Sequence, residues 1–426
     1  MSKSNEEVNL FTDFLKLLTL GYMSKYPSIS FRETFRTIKE VIDEFNLRLE
    51  MLRKNKLCLD VDLLKKNGLF KDKYYVYGAF LAAISSYPIL YRVADRETIK
   101  SAVFAKTAMV ASSKVLDNIN DELHSFQEAV KSQQKYQQAL TCGYFYLDFD
   151  KDFNLSFVSR AENTTYVMAS WTHQLMASKN NGHSNDESSM FNMFLNDVDE
   201  CIEGQIRSFY QKHEKYVSQT ISLSDFLRKI SAKGFGKIWV DIDFCFYEQC
   251  LGKLSSREFK AVKLINKSID LLFRSLLFYD DATDIKEDIK HNIVNSVLIL
   301  GLELEKISLE DLFSEEVLIK KLEENNLIQD TISFGDMVYL SGIECLHKAK
   351  EYSYFIDVDA LIFCARILRM FLLRKLILKK KNLKSLKTFL RSFSSFKKLK
   401  ESIPQYLNVY YNILEEDLNK VLYVTN

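Results

Sequence analysis

The chain has 426 residues, 47% hydrophobic and 27% charged, but only 12 glycines and 3 prolines, under a third of the roughly 12% share usual for those two residues. Turn-rich β-sandwiches, barrels and glycine-loop nucleotide folds depend on them and are disfavoured, as is disorder at this hydrophobic content. Lys+Arg number 58 against 57 Asp+Glu, a net charge of +1, so no global field recruits nucleic acid; what remains is an all-α protein.

The N-terminus, MSKSNEEVNLF, has acids where a secretory signal needs bases before an apolar run. Seven cysteines form no CxxC pair, as expected of free thiols in a reducing compartment, and the cytoplasm is the expected location. Ser30 is positioned to cap a helix starting at Phe31, with Phe35, Ile38, Ile42, Phe45 and Leu49 on one stripe. The uncharged stretch Tyr74 to Tyr91 is long enough to test as a membrane span. Gly78, Ser85, Ser86, Pro88 and several tyrosines make it read as a buried core helix. Residues 105–140 read as one long helix, 142–190 as the least regular region, and 179–189 as its most loop-like part. Helical patterns resume at Met190, across 222–234 and 260–306, and through 308–426. With no solenoid repeat, the expected organisation is one helical domain over 1–302, its motif-bearing core at about 75–300, and a C-terminal helical extension over 303–426 packed on the same domain.

The strongest chemical signal is FYDDATDIKED. Asp280, Asp284 and Asp288 fall at i, i+4 and i+8, on one helical face, with Asp281 and Glu287 beside them. Like charges at that spacing repel, and these follow the apolar run LLFRSLLFY. Such a row is either a solvated helix face complementing the dipole or a site for a hard cation such as Mg²⁺, which prefers carboxylate and phosphate oxygen. A second set, Asp117, Asn118 and Asp121 in SSKVLDNINDELH, has the same spacing. Two acid-bearing helices facing across a bundle core are one way to build a metal site.

In this respect the sequence resembles the class I isoprenoid synthases, the prenyltransferases and terpene cyclases, most of all the large-terpene synthases of the tetraprenyl-β-curcumene synthase type. Asp117-Asn118-Ile119-Asn120-Asp121 is similar to the first aspartate-rich motif of that family, and the segment from Asp280 through Asp284 and Glu287 to Asp288 to the second. Glu203-Gly204-Gln205 resembles the Gly-Gln pair between the motifs in prenyl synthases, and Lys233 the lysine that contacts diphosphate there. The resemblance covers roughly residues 75–300. It implies an all-α bundle of the isoprenoid-synthase type with Mg²⁺ as cofactor, three ions, and an isoprenoid diphosphate as substrate. The metal ligands it implies are Asp117, Asp121, Asp280, Asp281, Asp284, Glu287 and Asp288, with Asp117, Asp121, Asp280 and Asp284 catalytic. Arg228, Lys233 and Arg274 are the expected diphosphate contacts, Arg274 because a lone arginine in an apolar run needs a partner. The Arg-Arg-Gly that follows the first motif in chain-elongating enzymes is absent, the chain continuing Glu122-Leu123-His124-Ser125. This favours a terpene synthase over a polyprenyl diphosphate synthase. A non-catalytic helical protein with solvent-facing acids is the alternative outside that family.

Residues 366–400 hold 13 Lys/Arg and no Asp or Glu, interleaved with apolar residues. A basic amphipathic helix of this kind suits an anionic membrane surface or docking on the acidic remainder of the chain. With no recognition motif elsewhere, nucleic acid is not an expected partner. The six histidines show no zinc spacing, and no phosphate loop or nucleophile elbow appears.

Overall fold

The structure, a computed structural model, describes residues 23–146, 155–177, 189–218, 220–379 and 395–410. Among them there is no strand, only an isolated antiparallel bridge between Lys212 and Ile293, and the fold is all-α. The helices are α1 Phe31–Leu52, α2 Val61–Lys66, α3 Lys73–Leu90, α4 Arg96–Leu123, α5 Phe126–Cys142, α6 Phe157–Ala177, α7 Met190–Ser208, α8 Gly236–Leu251, α9 Ser256–Lys290, α10 Ser296–Glu303, α11 Glu315–Glu324, α12 Leu327–Ala349, α13 Val358–Lys379 and α14 Phe396–Glu401. Between α7 and α8 the chain runs through short helical pieces, including a π turn over Phe226–Ile230 and a 3₁₀ turn over Ser231–Gly234.

Several expectations need correction. The stretch read as one helix over 105–140 is two. Ser125 and Glu128 close a capping box that starts α5, and the paired side-chain and backbone bonds of that motif satisfy donors a continuous helix would have used otherwise. The irregular region 142–190 contains α6, 21 residues long; the segment 179–188 lies outside the described residues. Ser30 precedes α1 without a side-chain cap bond. The buried stripe of α1 runs Ile38, Val41, Phe45, Leu49 and Leu52, while Phe35 is exposed beside Phe31 and Phe80. The 260–306 pattern breaks after α9 at Asn292, a positive-φ residue.

The stretch Tyr74–Tyr91 forms α3, a core helix. No helix among the described residues is long and apolar enough to cross a membrane. Pro88 lies inside it and lacks the N–H that would bond to Ile84 O. The Cys364 thiol donates to that carbonyl instead, at 3.1 Å, which ties α13 to α3.

The C-terminal helices pack against the 35-residue α9. Gly342 on α12 permits the contact: a Cβ there would lie 3.0 Å from Ser268 O and Leu272 Cγ, and Ser268 Oγ donates to Gly342 O at 2.7 Å. Arg369 of α13 is buried and pairs with Asp336 of α12 at 2.6 Å, with Tyr279 of α9 bonded to the same carboxylate at 2.7 Å. Arg366 lies 4.2 Å above the Phe396 ring. The first two bases of the expected membrane-facing segment are therefore internal, since each has found a partner within the fold. Residues 380–394 lie outside the described residues.

Candidate functional site

Helices α3, α4, α8, α9 and α13 enclose an open cavity of about 580 Å³. Its walls are mainly apolar, among them Leu81, Val110, Ile269, Leu272, Phe273 and Leu361, and its mouth is charged. The two acidic segments meet at this mouth. Asp117, Asn118 and Asp121 line it from α4, and Asp280, Asp281 and Asp288 from α9. Lys212 and Lys233 line it from the connection between α7 and α8.

On the α4 side, Asp117 accepts from Gln205 Nε2 at 2.8 Å and pairs with Lys114 at 3.3 Å. Asp117 beside it, with Asp280 across the mouth, raises the Lys114 ammonium above its usual range. Asp121 reaches solvent through the cavity, yet surrounding protein and then Asp117 push its carboxyl above the usual range, against the pull of Lys212, Lys233 and Lys114. Asn118 is a strut: its amide donates to Leu69 O and to Tyr74 Oη, both at 2.9 Å.

On the α9 side, two carboxylates are held by the start of α10. Asn295, which caps that helix, donates to Asp288 at 2.7 Å, and the Ser296 N–H donates to Asp281 at 2.9 Å. Acceptors at a helix N-terminus meet its unsatisfied N–H groups and dipole. Burial nevertheless pushes Asp288 up to about 6, with Asp281 and Asp284 adding to the shift. Asp281 is raised by burial too, and Lys233 is the strongest influence opposing it.

Lys233 thus acts on acids of both helices, and Gly204 sets its position. A Cβ at Gly204 would lie 2.8 Å from Lys233 N and 2.9 Å from Lys229 O, so only glycine lets α7 approach this turn so closely. Phe235 follows at φ 60°, an unusual conformation for a bulky residue, and its ring lines the cavity. Across the mouth, Gln211 Nε2 donates to Val294 O at 2.9 Å beside the Lys212–Ile293 bridge, which ties Lys212 to the chain just past α9, and its charge acts on Asp121 of α4.

The other residues singled out in the sequence lie off the cavity. Asp284 is half-buried and Glu287 exposed, and neither lines it, although Asp284 falls between Asp280 and Asp288 around the helix and its charge acts on Asp288. Arg228 is exposed on the π turn. Arg274 is buried and committed elsewhere, to Asp270 at 2.7 Å, Glu200 at 3.0 Å and Leu227 O at 2.6 Å. It balances buried acids and does not line the cavity. His124 bonds Asn120 at 2.8 Å and is structural.

Lys106, Asp243 and Trp239 also line the cavity and were not singled out. The signal was available: Lys106 in VFAKTAMVA is a lone charge in an apolar run, and Asp243 in IWVDIDFCF is one of two aspartates in another, the same argument that drew notice to Arg274. Among the described residues no three His, Cys, Asp or Glu side chains converge closely enough to hold a metal ion by themselves. The oxygen donors Asp117, Asp121 and Asp280 around one mouth nevertheless suit a hard cation of the Mg²⁺ type, which takes one or two carboxylates and completes its shell with waters and substrate oxygens.

No family model matches the chain, and no curated protein does. Among solved structures, the linalool/nerolidol synthase from Streptomyces clavuligerus, determined in complex with 2-fluorogeranyl diphosphate, shares 11% identity and a TM-score of 0.38 over 77% of this chain and 96% of that one. That likeness is too loose to carry family membership.

Proposed function

We propose that the protein is a Mg²⁺-dependent class I terpene synthase, which ionises an allylic isoprenoid diphosphate and releases diphosphate with a linear or cyclic terpene as product. The observation that carries this reading is the convergence of carboxylates from α4 and α9 on one mouth of a predominantly apolar cavity, with lysines set among them. Asp117, Asp121, Asp280 and Asp288 are the residues to hold Mg²⁺, which supplies Lewis acidity to the leaving diphosphate.

The remaining work falls to the chain itself. Lys114, Lys212 and Lys233 balance the negative charge of a diphosphate at the mouth, where oriented cations are most effective in partly desolvated surroundings. The apolar walls take up the hydrocarbon tail and keep water from the cation left behind. Trp239, Phe235 and Phe273 border that space, and each aromatic face stabilises a desolvated cation by about 0.5–2 kcal/mol.

Diphosphate release by the purified protein with Mg²⁺, measured on allylic diphosphates of increasing length with and without isopentenyl diphosphate, tests the proposal. Release from an allylic substrate alone, lost by about 10²–10³-fold in Asp117→Ala and Asp280→Ala with the helical circular-dichroism signal retained, is expected. No release at any chain length overturns it, and release only with isopentenyl diphosphate makes the protein a chain-elongating synthase.

A further inference from the structure

The cavity has a second charged end. Lys106 precedes Asp117 on α4 by eleven residues, roughly 16 Å along the axis at 1.5 Å per residue. There Lys106 Nζ pairs with Asp243 Oδ2 of α8, both side chains fully buried. The ammonium is well supplied: it also donates to Ser85 Oγ at 3.2 Å and lies 4.9 Å from the centre of the Trp239 ring, whose Nε1 donates to the same Ser85 oxygen at 3.0 Å. Asp243 is not. Its Oδ1 is buried without a hydrogen-bond partner; Ser86 lies near enough to favour the carboxylate, but its hydroxyl completes no hydrogen bond either. Around the pair the cavity lining is apolar, with Ile84, Leu272, Leu361 and Leu368, and the Cys364 thiol is already engaged by Ile84 O.

A paired Lys and Asp carry no net charge, so an uncharged hydrocarbon tail meets a neutral floor. A cation generated above it is drawn to a buried carboxylate oxygen that has no hydrogen-bond partner, in low dielectric where attraction is strongest. We propose, resting on the terpene synthase reading above, that Asp243 is the proton acceptor that ends the reaction and that Lys106 is the positioning residue that holds it. Asp243 Oδ1 takes a proton from a carbon next to the cationic centre, the C–H electron pair becomes the new C=C bond, and Asp243 is left as the neutral acid. The proton then departs with the released diphosphate or to solvent through the open mouth, so that substrate ester becomes alkene plus hydrogen diphosphate. Burial raises the Asp243 carboxyl, with Lys106 opposing, so the Asp243 carboxylate holds a proton more firmly than an exposed one.

The test compares wild type with Asp243→Asn, which keeps the shape and removes the base, and with the double variant Lys106→Met, Asp243→Leu. Apolar replacement of a whole buried pair is generally tolerated by the fold, so the double variant keeps the test open if the single one does not fold. Products from an allylic diphosphate are analysed by gas chromatography and mass spectrometry per diphosphate released. Binding of a tertiary prenylamine, protonated and lacking any diphosphate, is measured by calorimetry without metal. We expect alkene per diphosphate to fall by about 10²-fold in favour of alcohol, and the ammonium to bind about tenfold more weakly, as when a charged partner is lost. Wild-type alkene yield together with wild-type ammonium affinity in a folded variant overturns the inference. Absence of diphosphate release by the unmodified protein strikes the enzyme reading, and this inference with it, and is distinguished because it needs no substitution.

Discussion

At the mouth of the cavity, Asp117, Asp121 and Asp280 share space with Lys114, Lys212 and Lys233 in reach of water; at the floor, Lys106 and Asp243 are buried with Ser85 and Trp239 as their polar surroundings. Charge at the mouth can be rearranged by a ligand, because solvent and several counter-charges share the load. Charge at the floor has one arrangement, because either member alone is an uncompensated ion in a low-dielectric setting. The same residue types therefore serve recruitment at one end and fixed geometry at the other.

The largest expected effect comes from breaking the floor. Lys106→Ala leaves Asp243 buried and unpaired and should lower unfolding free energy by about 3–5 kcal/mol, read by urea titration. Lys114→Ala at the mouth should lose less than about 1 kcal/mol. Equal losses would mean that water reaches both ends and that the contrast fails. Next is Gly204→Ala. Its added methyl meets backbone at 2.8 and 2.9 Å, so overpacking should cost about 1–3 kcal/mol and weaken inorganic diphosphate binding by displacing Lys233. Stability loss with unchanged binding would detach Lys233 from the mouth.

A buried acid away from the cavity sharpens the comparison from another side. Asp241 accepts from Asn266 at 2.7 Å with one oxygen, while the other is buried with no donor. Burial, and then the neighbouring Asp197 carboxylate, raise it well above the usual range. A raised carboxyl favours the protonated form in the folded state, so its contribution to stability is fully present below the unfolded pKa and is lost as pH rises through the folded value. Asp241→Asn should therefore stabilise the protein at neutral pH by about 1–3 kcal/mol, with an advantage that grows as pH rises above the unfolded carboxyl value of about 4. Melting temperatures measured from acid to neutral pH check it; an advantage independent of pH would show that Asp241 is charged in the fold. The smallest expected effect is Arg228→Ala. From its exposed turn off the cavity, it should change stability by no more than about 0.5 kcal/mol and diphosphate release by no more than about twofold.

The all-α class was legible because scarcity of glycine and proline acts on every turn of a chain at once. The acid rows at Asp117–Asp121 and Asp280–Asp288 were legible because helical spacing converts directly into a shared face. What spacing alone did not resolve is which members of a row turn inward: Asp284 and Glu287 belong to the second row in sequence but not to the cavity wall. Arg274 and Lys106 show the same limit. Each is a lone base in an apolar run, and only the tertiary partners separate them: Asp270 and Glu200 absorb the first, while Asp243 leaves the second bordering the cavity. The break at Ser125 was written in the chain as Ser-x-x-Glu, a local signal masked by the helical pattern on either side.

Phe235 has a consequence of another kind. It takes φ 60° between two glycines, Gly234 and Gly236, with its ring on the cavity wall. A residue with a side chain in that region is strained, and glycine there is not. Position 235 therefore sets two effects against each other: glycine would relax a strained backbone, a gain of about 1–3 kcal/mol, and widen the chamber, but it would give up the packing of Phe235 against the core, a loss of about 3–5 kcal/mol for a buried phenylalanine. Enlarging the chamber lowers stability here as elsewhere, and the relieved strain offsets only part of the loss.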